Sequence, residues 1–154
     1  GVVAMMFAGH THMDEYRIVF GSVCHVSPGI TPCFGNNPAY KVFEHSNATF
    51  QAADYVALNY DLAAMPAQFN RYYSFSSAYS MQGDLDASMV QLFPELGIDG
   101  AKQSLYRKYY YSGPTPANPI TDANWPVYWC GIGNMGQQDL IDCVNSYNFD
   151  AAGQ

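Results

Sequence analysis

The chain has 154 residues, enough for one domain with a core of its own, and sets six Lys and Arg against thirteen Asp and Glu, for a formal net charge of −7. So few cations exclude a basic footprint for nucleic acid or anionic lipid. No apolar stretch is long enough to span a bilayer. Gly1, with no initiator methionine and no charged leader after it, reads as an internal start.

Residues 2–8 form a continuous apolar run of the kind expected for a strand buried on both faces, and Gly9 then allows a sharp turn. Such a strand needs neighbours on both edges, whereas the following residues promise only antiparallel partners on one side. The turn carries Gly9-His10-Thr11-His12. Two imidazoles two residues apart point to roughly the same side, with side-chain origins about 6 to 7 Å apart. They suit one metal held by both, or two metals taking one each with a bridging carboxylate from elsewhere. A histidine pair packed at a strand end is the alternative reading.

Further strands are expected at 15–20, 23–27, 40–45 and 49–59, with turns at Gly21-Ser22 and Ser46-Asn47. After Asp61 the pattern changes to short helices. Asp84 caps one through Leu92 and Asp99 opens another through Tyr110. A closing pair spans 123–132 and 137–147 after the stiff, proline-rich connection 113–119. The chain therefore divides into a strand region, 1–60, and a helical region, 61–154, an α+β arrangement.

Gly9-His10-Thr11-His12 followed by Met13-Asp14-Glu15-Tyr16-Arg17 resembles the last ligand block of calcineurin-like metallophosphoesterases, in the form used by the acid sphingomyelinase and sphingomyelinase-like phosphodiesterase branch. The loop from Val26 to Pro32, the segment Asn36-Asn37-Pro38-Ala39-Tyr40-Lys41-Val42-Phe43, and Trp129-Cys130 with Cys143 resemble later parts of that branch in the same order. The resemblance implies that 1–60 are the C-terminal strands of an α/β/β/α-layered β-sandwich and 61–154 a small helical subdomain. It implies that His10 serves one metal and His12 the other, with zinc expected and manganese or iron also accommodated. It further places Asn37 and Tyr40 near the mouth of the site as substrate-binding candidates, with ordinary packing at the start of the strand the favoured role for Tyr40.

The family's remaining ligand blocks and its proposed general acid precede this one and do not occur here. No catalytic residue is therefore assigned, and the missing ligands are expected from an N-terminal part of the same enzyme. The implied activity is hydrolysis of a phosphodiester, such as a phospholipid head group, with a nucleotide or polyphosphate as the alternative substrate, and the resemblance does not choose between them. A noncatalytic binding or structural module is the alternative from another class.

Four cysteines, Cys24, Cys33, Cys130 and Cys143, point to an oxidising compartment, whether secreted, periplasmic or lysosome-like. A Cys130–Cys143 bridge would staple a helical hairpin. Cys24 and Cys33 either pair across the 28–32 loop or remain buried thiols. Asp14 and Glu15 could orient His12, cap the next strand or face solvent. His25 and His45 read as structural or surface residues, and Asn47-Ala48-Thr49 as a turn with an N-glycosylation pattern. The tyrosine runs at 71–73 and 106–111 suit helices packed on their own domain, with membrane contact the less favoured reading.

Overall fold

The computed structural model describes residue 3, residues 5–113, residue 116 and residues 118–152, the last five of these by backbone alone. Gly1, Val2 and Ala4 of the first apolar run lie outside the described residues, as do Pro114, Thr115 and Ala117 of the proline-rich connection. The described residues are α+β, with two three-stranded sheets and five helices among them.

The first sheet contains β1 (Met6–Ala8), β2 (Glu15–Val19) and β3 (Ser22–Val26), in the order β1-β3-β2. The tight turn at Phe20-Gly21 sends β3 back antiparallel to β2, which lays it parallel to β1, with Phe7 opposite His25. The expectation of antiparallel partners alone is thus corrected. Because β2 and β3 form a hairpin on one side of β1, the returning strand shares its direction. The two-faced burial expected for this run is also corrected. Among the described residues β1 has β3 as its one neighbour, and Val3 and Phe7 are exposed. Parallel strands are normally covered on both faces, so this edge is unlike a finished sheet.

The second sheet is an antiparallel meander of β4 (Ala39–His45), β5 (Ala52–Tyr60) and β6 (Phe69–Ser74). β6 falls where the sequence suggests helices. Its tyrosines pack across the sheet, and that pairing overrides helical spacing. Tyr73 is buried and stacks on Tyr109 with ring centroids 3.8 Å apart. The tyrosine run at 71–73 is therefore strand, while the run at 106–111 is helical to Tyr110 and largely buried. Both runs pack inward.

Five helices follow: α1 (Phe75–Tyr79), α2 (Leu85–Ile98), α3 (Gly100–Tyr110), α4 (Trp125–Gly133) and α5 (Gln137–Ala152). The Asp84 carboxylate accepts from Ala87 N at 2.8 Å, and Asp99 accepts from Ala101 N and Lys102 N, so both expected caps form. α2 runs past the expected stop at Leu92 and through Pro94. Leu85, Met89, Leu92 and Leu96 line one buried face, while Pro94 sits on the solvent side. Burial of that stripe outweighs the proline's missing donor. One hydrophobic core runs from Met13 to Ile132, taking residues from both sides of Tyr60.

Cys130 and Cys143 form the expected disulfide between α4 and α5. Cys24 and Cys33 are free thiols, which corrects the reading in which they pair. Cys24 lies mid-strand in β3, opposite Met6 and Arg17, whereas Cys33 lies in the exposed loop beyond. With a sequence separation of 13, the Cys130–Cys143 bridge is expected to contribute about 3 kcal/mol. Cys143→Ala should lower the thermal midpoint correspondingly, and a melt unchanged by the substitution would refute that contribution.

Burial raises the phenol pKa of Tyr55, Tyr73, Tyr79 and Tyr106 well above the ordinary value. A folded-state pKa above the unfolded value, about 10, means the stability is fully present below pH 10 and is lost as pH rises beyond it. Alkaline titration should therefore show phenolate absorbance from these residues only as the protein unfolds. A phenolate signal from them in a protein that keeps its near-ultraviolet dichroism would contradict this.

Candidate metal centre

His10 and His12 both lie in the turn that follows the carboxyl end of β1. His10 is exposed and lines a cleft of about 640 Å³ with Met13, Phe34, Tyr110, Tyr111 and Tyr128. His12 is half-buried and held in place. Its φ of 64° is left-handed, an uncommon conformation for a side chain of this size, and such geometry persists only where surrounding contacts enforce it.

Those contacts come from the loop after β3. Gly29 N donates to His12 O at 2.9 Å, while Ser27 N donates to Ala8 O at 2.8 Å, so this loop lies against the end of β1. A Cβ on Gly29 would lie 2.8 Å from His12 Cβ and 2.9 Å from Nδ1. Only glycine fits there. Phe34 packs edge-on against the imidazole, at 5.3 Å between centroids.

On the ring itself, Nδ1 lies 3.2 Å from Thr31 Oγ1 and 3.3 Å from Cys33 Sγ. A proton on Nδ1, donated to Thr31, leaves the Nε2 lone pair for ligation, which is how a ligand histidine is oriented from behind. In that tautomer Nε2 is the ring nitrogen left free to ligate. The residues fit a share of a metal site. Among the described residues no group of three or more His, Cys, Asp or Glu is placed to hold an ion.

The other candidates are placed elsewhere. The Asp14 carboxylate turns away from His12 to Lys41 and Tyr73. Glu15 is buried and paired with Arg17 at 2.7 Å. His25 is fully buried, with Nε2 on Asp86 Oδ1 at 2.9 Å, and His45 ends β4 exposed. Asn37 is buried, its Oδ1 accepting from Leu62 N at 3.3 Å, while Tyr40 is on the exposed face of β4 against Phe69. Thr31, Cys33 and Gly29 were not legible as supports for His12. The sequence signal for Gly29 and Thr31 was membership of the loop that resembles the family, and Cys33 was read only as a partner for Cys24 or a buried thiol.

No family model matches the chain. It is 30% identical over 141 residues to acid sphingomyelinase-like phosphodiesterase 3b of Homo sapiens, covering 79% of this chain and 30% of that protein. It is 25% identical to the Mus musculus protein of the same name, over 94% of this chain and 36% of the relative. It is 26% identical to cyclic GMP-AMP phosphodiesterase SMPDL3A of Mus musculus, over 95% of this chain and 37% of the relative. The chain thus spans between 30% and 37% of the length of these relatives.

Proposed function

Because this chain belongs with the acid sphingomyelinase-like phosphodiesterases, we propose that it is the C-terminal part of a dinuclear-metal phosphodiesterase, completed by an N-terminal part that supplies the remaining ligands. The observation that carries this reading is the imidazole pair at the end of β1, with His12 oriented through Nδ1 and no third donor beside it among the described residues. The exposed edge of β1 adds support, since a preceding strand would give it the second neighbour it lacks. In this reading the two sheets are the last strands of the layered sandwich and the helices close one side of it.

His10 would hold one divalent ion and His12 the other, with zinc the first expectation from the donor type. Such a pair of ions, when bound, supplies Lewis-acid chemistry: it activates water and neutralises charge on the phosphoryl oxygens. The chain's own residues then have distinct tasks. Thr31 and Cys33 fix the His12 ring, Gly29 gives it room, and Phe34 packs against its face. Tyr110, Tyr111 and Tyr128 wall the cleft beside His10, where an apolar or aromatic part of a diester would lie against the rings. Tyr40, on the exposed face of β4, is the substrate contact the resemblance implies. The disulfide fits a secreted or otherwise oxidising setting. No helix among the described residues is long and apolar enough to cross a membrane.

The test is hydrolysis by the full-length, metal-loaded protein of a phosphodiester against the corresponding monoester, with sphingomyelin and cyclic GMP-AMP as natural diesters. Diester cleavage that is lost on chelation and restored by zinc is the expected result. Monoester preference would reject the diesterase reading, and no hydrolysis of either would leave a noncatalytic module.

A further inference from the structure

Lys41 is a buried cation in the middle of an apolar sheet, with 1% of its side chain exposed. Nothing in the chemistry so far uses it. Its ammonium lies 2.6 Å from Asp14 Oδ1, in a carboxylate that is itself 3% exposed, and donates to the carbonyl of Val26 at 3.2 Å. Asp14 also accepts from Tyr73 Oη at 2.7 Å, and Tyr55 Oη lies 2.9 Å from Tyr73 Oη. Because Tyr73 spends its proton on Asp14, Tyr55 donates to Tyr73. The Tyr55 ring receives the ammonium at 4.7 Å from its centroid.

The two groups that Lys41 grips flank His12 on both sides. Asp14 is two residues after His12, with its backbone N–H on Tyr110 O at 2.9 Å. Val26 ends β3 and leads through Ser27 and Pro28 to Gly29, which binds the His12 carbonyl and packs against its ring. The path therefore closes on itself: His12, Met13, Asp14, across to Lys41, on to Val26, along the loop to Gly29, and back to His12. Gly29 O is tied in turn to Ala39 N at 3.1 Å, two residues before Lys41. A buried ion pair that loses one partner leaves an uncompensated charge, so this ring has a strong preference for staying closed.

We propose that Lys41, with Asp14 and Tyr73, is the positioning element that locks the left-handed backbone of His12 and aims its Nε2. The proposal rests on the reading of His12 as a metal ligand. Lys41 touches no substrate or metal. It acts through the loop it closes, binding the second sheet to the ligand loop of the first.

The test uses the full-length protein and the double variant Asp14→Asn/Lys41→Met, which removes both charges and so leaves no buried ion unpaired. The expected result is a folded protein whose zinc content falls by about one equivalent, whose kcat falls about 10- to 100-fold per folded molecule, the loss usual when support behind a ligand is removed, and whose metal-free form shows a displaced His12 ring resonance by NMR. Tyr73→Phe should give a smaller change in the same direction. A double variant with wild-type zinc content, kcat and His12 resonance would overturn the proposal. If it does not fold, the comparison passes to Tyr73→Phe alone, where an unchanged His12 resonance overturns it. His12→Ala, run alongside, separates the two readings: if it too keeps full zinc content, the ligand assignment has failed rather than the positioning role.

Discussion

Gly29→Ala is expected to reduce phosphodiester hydrolysis by the full-length protein about 100-fold while leaving it folded, because a misplacement of about 1 Å at a reacting centre carries a cost of that order. The added methyl would meet His12 Cβ at 2.8 Å and Cγ and Nδ1 at 2.9 Å. The imidazole must therefore leave its place between Thr31, Cys33 and Phe34. Gly29 has no left-handed backbone that would add strain of its own, so the stability cost is that of local overpacking, about 1 to 3 kcal/mol. Steady-state kinetics beside a thermal melt distinguish the two effects. Wild-type kcat in a folded Gly29→Ala protein would show that the ring contact does not position the site.

Lys41→Met alone should be the most destabilising single substitution near the site, at about 3 to 5 kcal/mol, since it leaves the Asp14 carboxylate buried beside Tyr73 with no cation. Adding Asp14→Asn removes the stranded charge and should restore much of the loss. Denaturant unfolding of the two single variants and the double variant forms a closed cycle, and the expected coupling is large because the groups are in direct contact. Additive effects, or a single Lys41→Met variant as stable as wild type, would mean that the pair is not a fixed element of the fold.

What could be read in advance followed local chemistry. The caps at Asp84 and Asp99 were legible because a carboxylate before a helical run satisfies the free N–H groups of its own first turn. The His10-Thr11-His12 turn was legible because both imidazoles come from one strand end, and the Cys130–Cys143 bridge because both partners flank one short turn. The miss at β6 has the opposite cause. The tyrosines at 72 and 73 are compatible with helix or strand, and pairing with β5 decided between them. Cys24 and Cys33 looked equally close in sequence, but β3 carries one into a sheet while the loop carries the other to His12.

The candidate site divides in the same way. Its candidate imidazoles were readable, and the groups packed around His12 were not. Asp14 looked like a partner for His12 from sequence distance, yet its side chain faces Lys41 across the two sheets. Lys41 itself had no signal as a buried residue, since a lysine in an amphipathic strand ordinarily faces water. Long-range pairing placed both, and neither spacing nor periodicity encodes that. The exposed parallel edge at β1 was likewise foreshadowed only in part: the need for a second neighbour was legible, and the parallel direction of the first was not.

In the proposed function His10 and His12 each serve a different metal in a site completed by other sequence. The most direct measurement is zinc stoichiometry by elemental analysis of the full-length protein and of its His10→Ala and His12→Ala variants, each compared as folded material. Two equivalents in the wild type and the loss of about one in each variant, together with the loss of diester hydrolysis, are the expected result. Wild-type stoichiometry in both variants would contradict it.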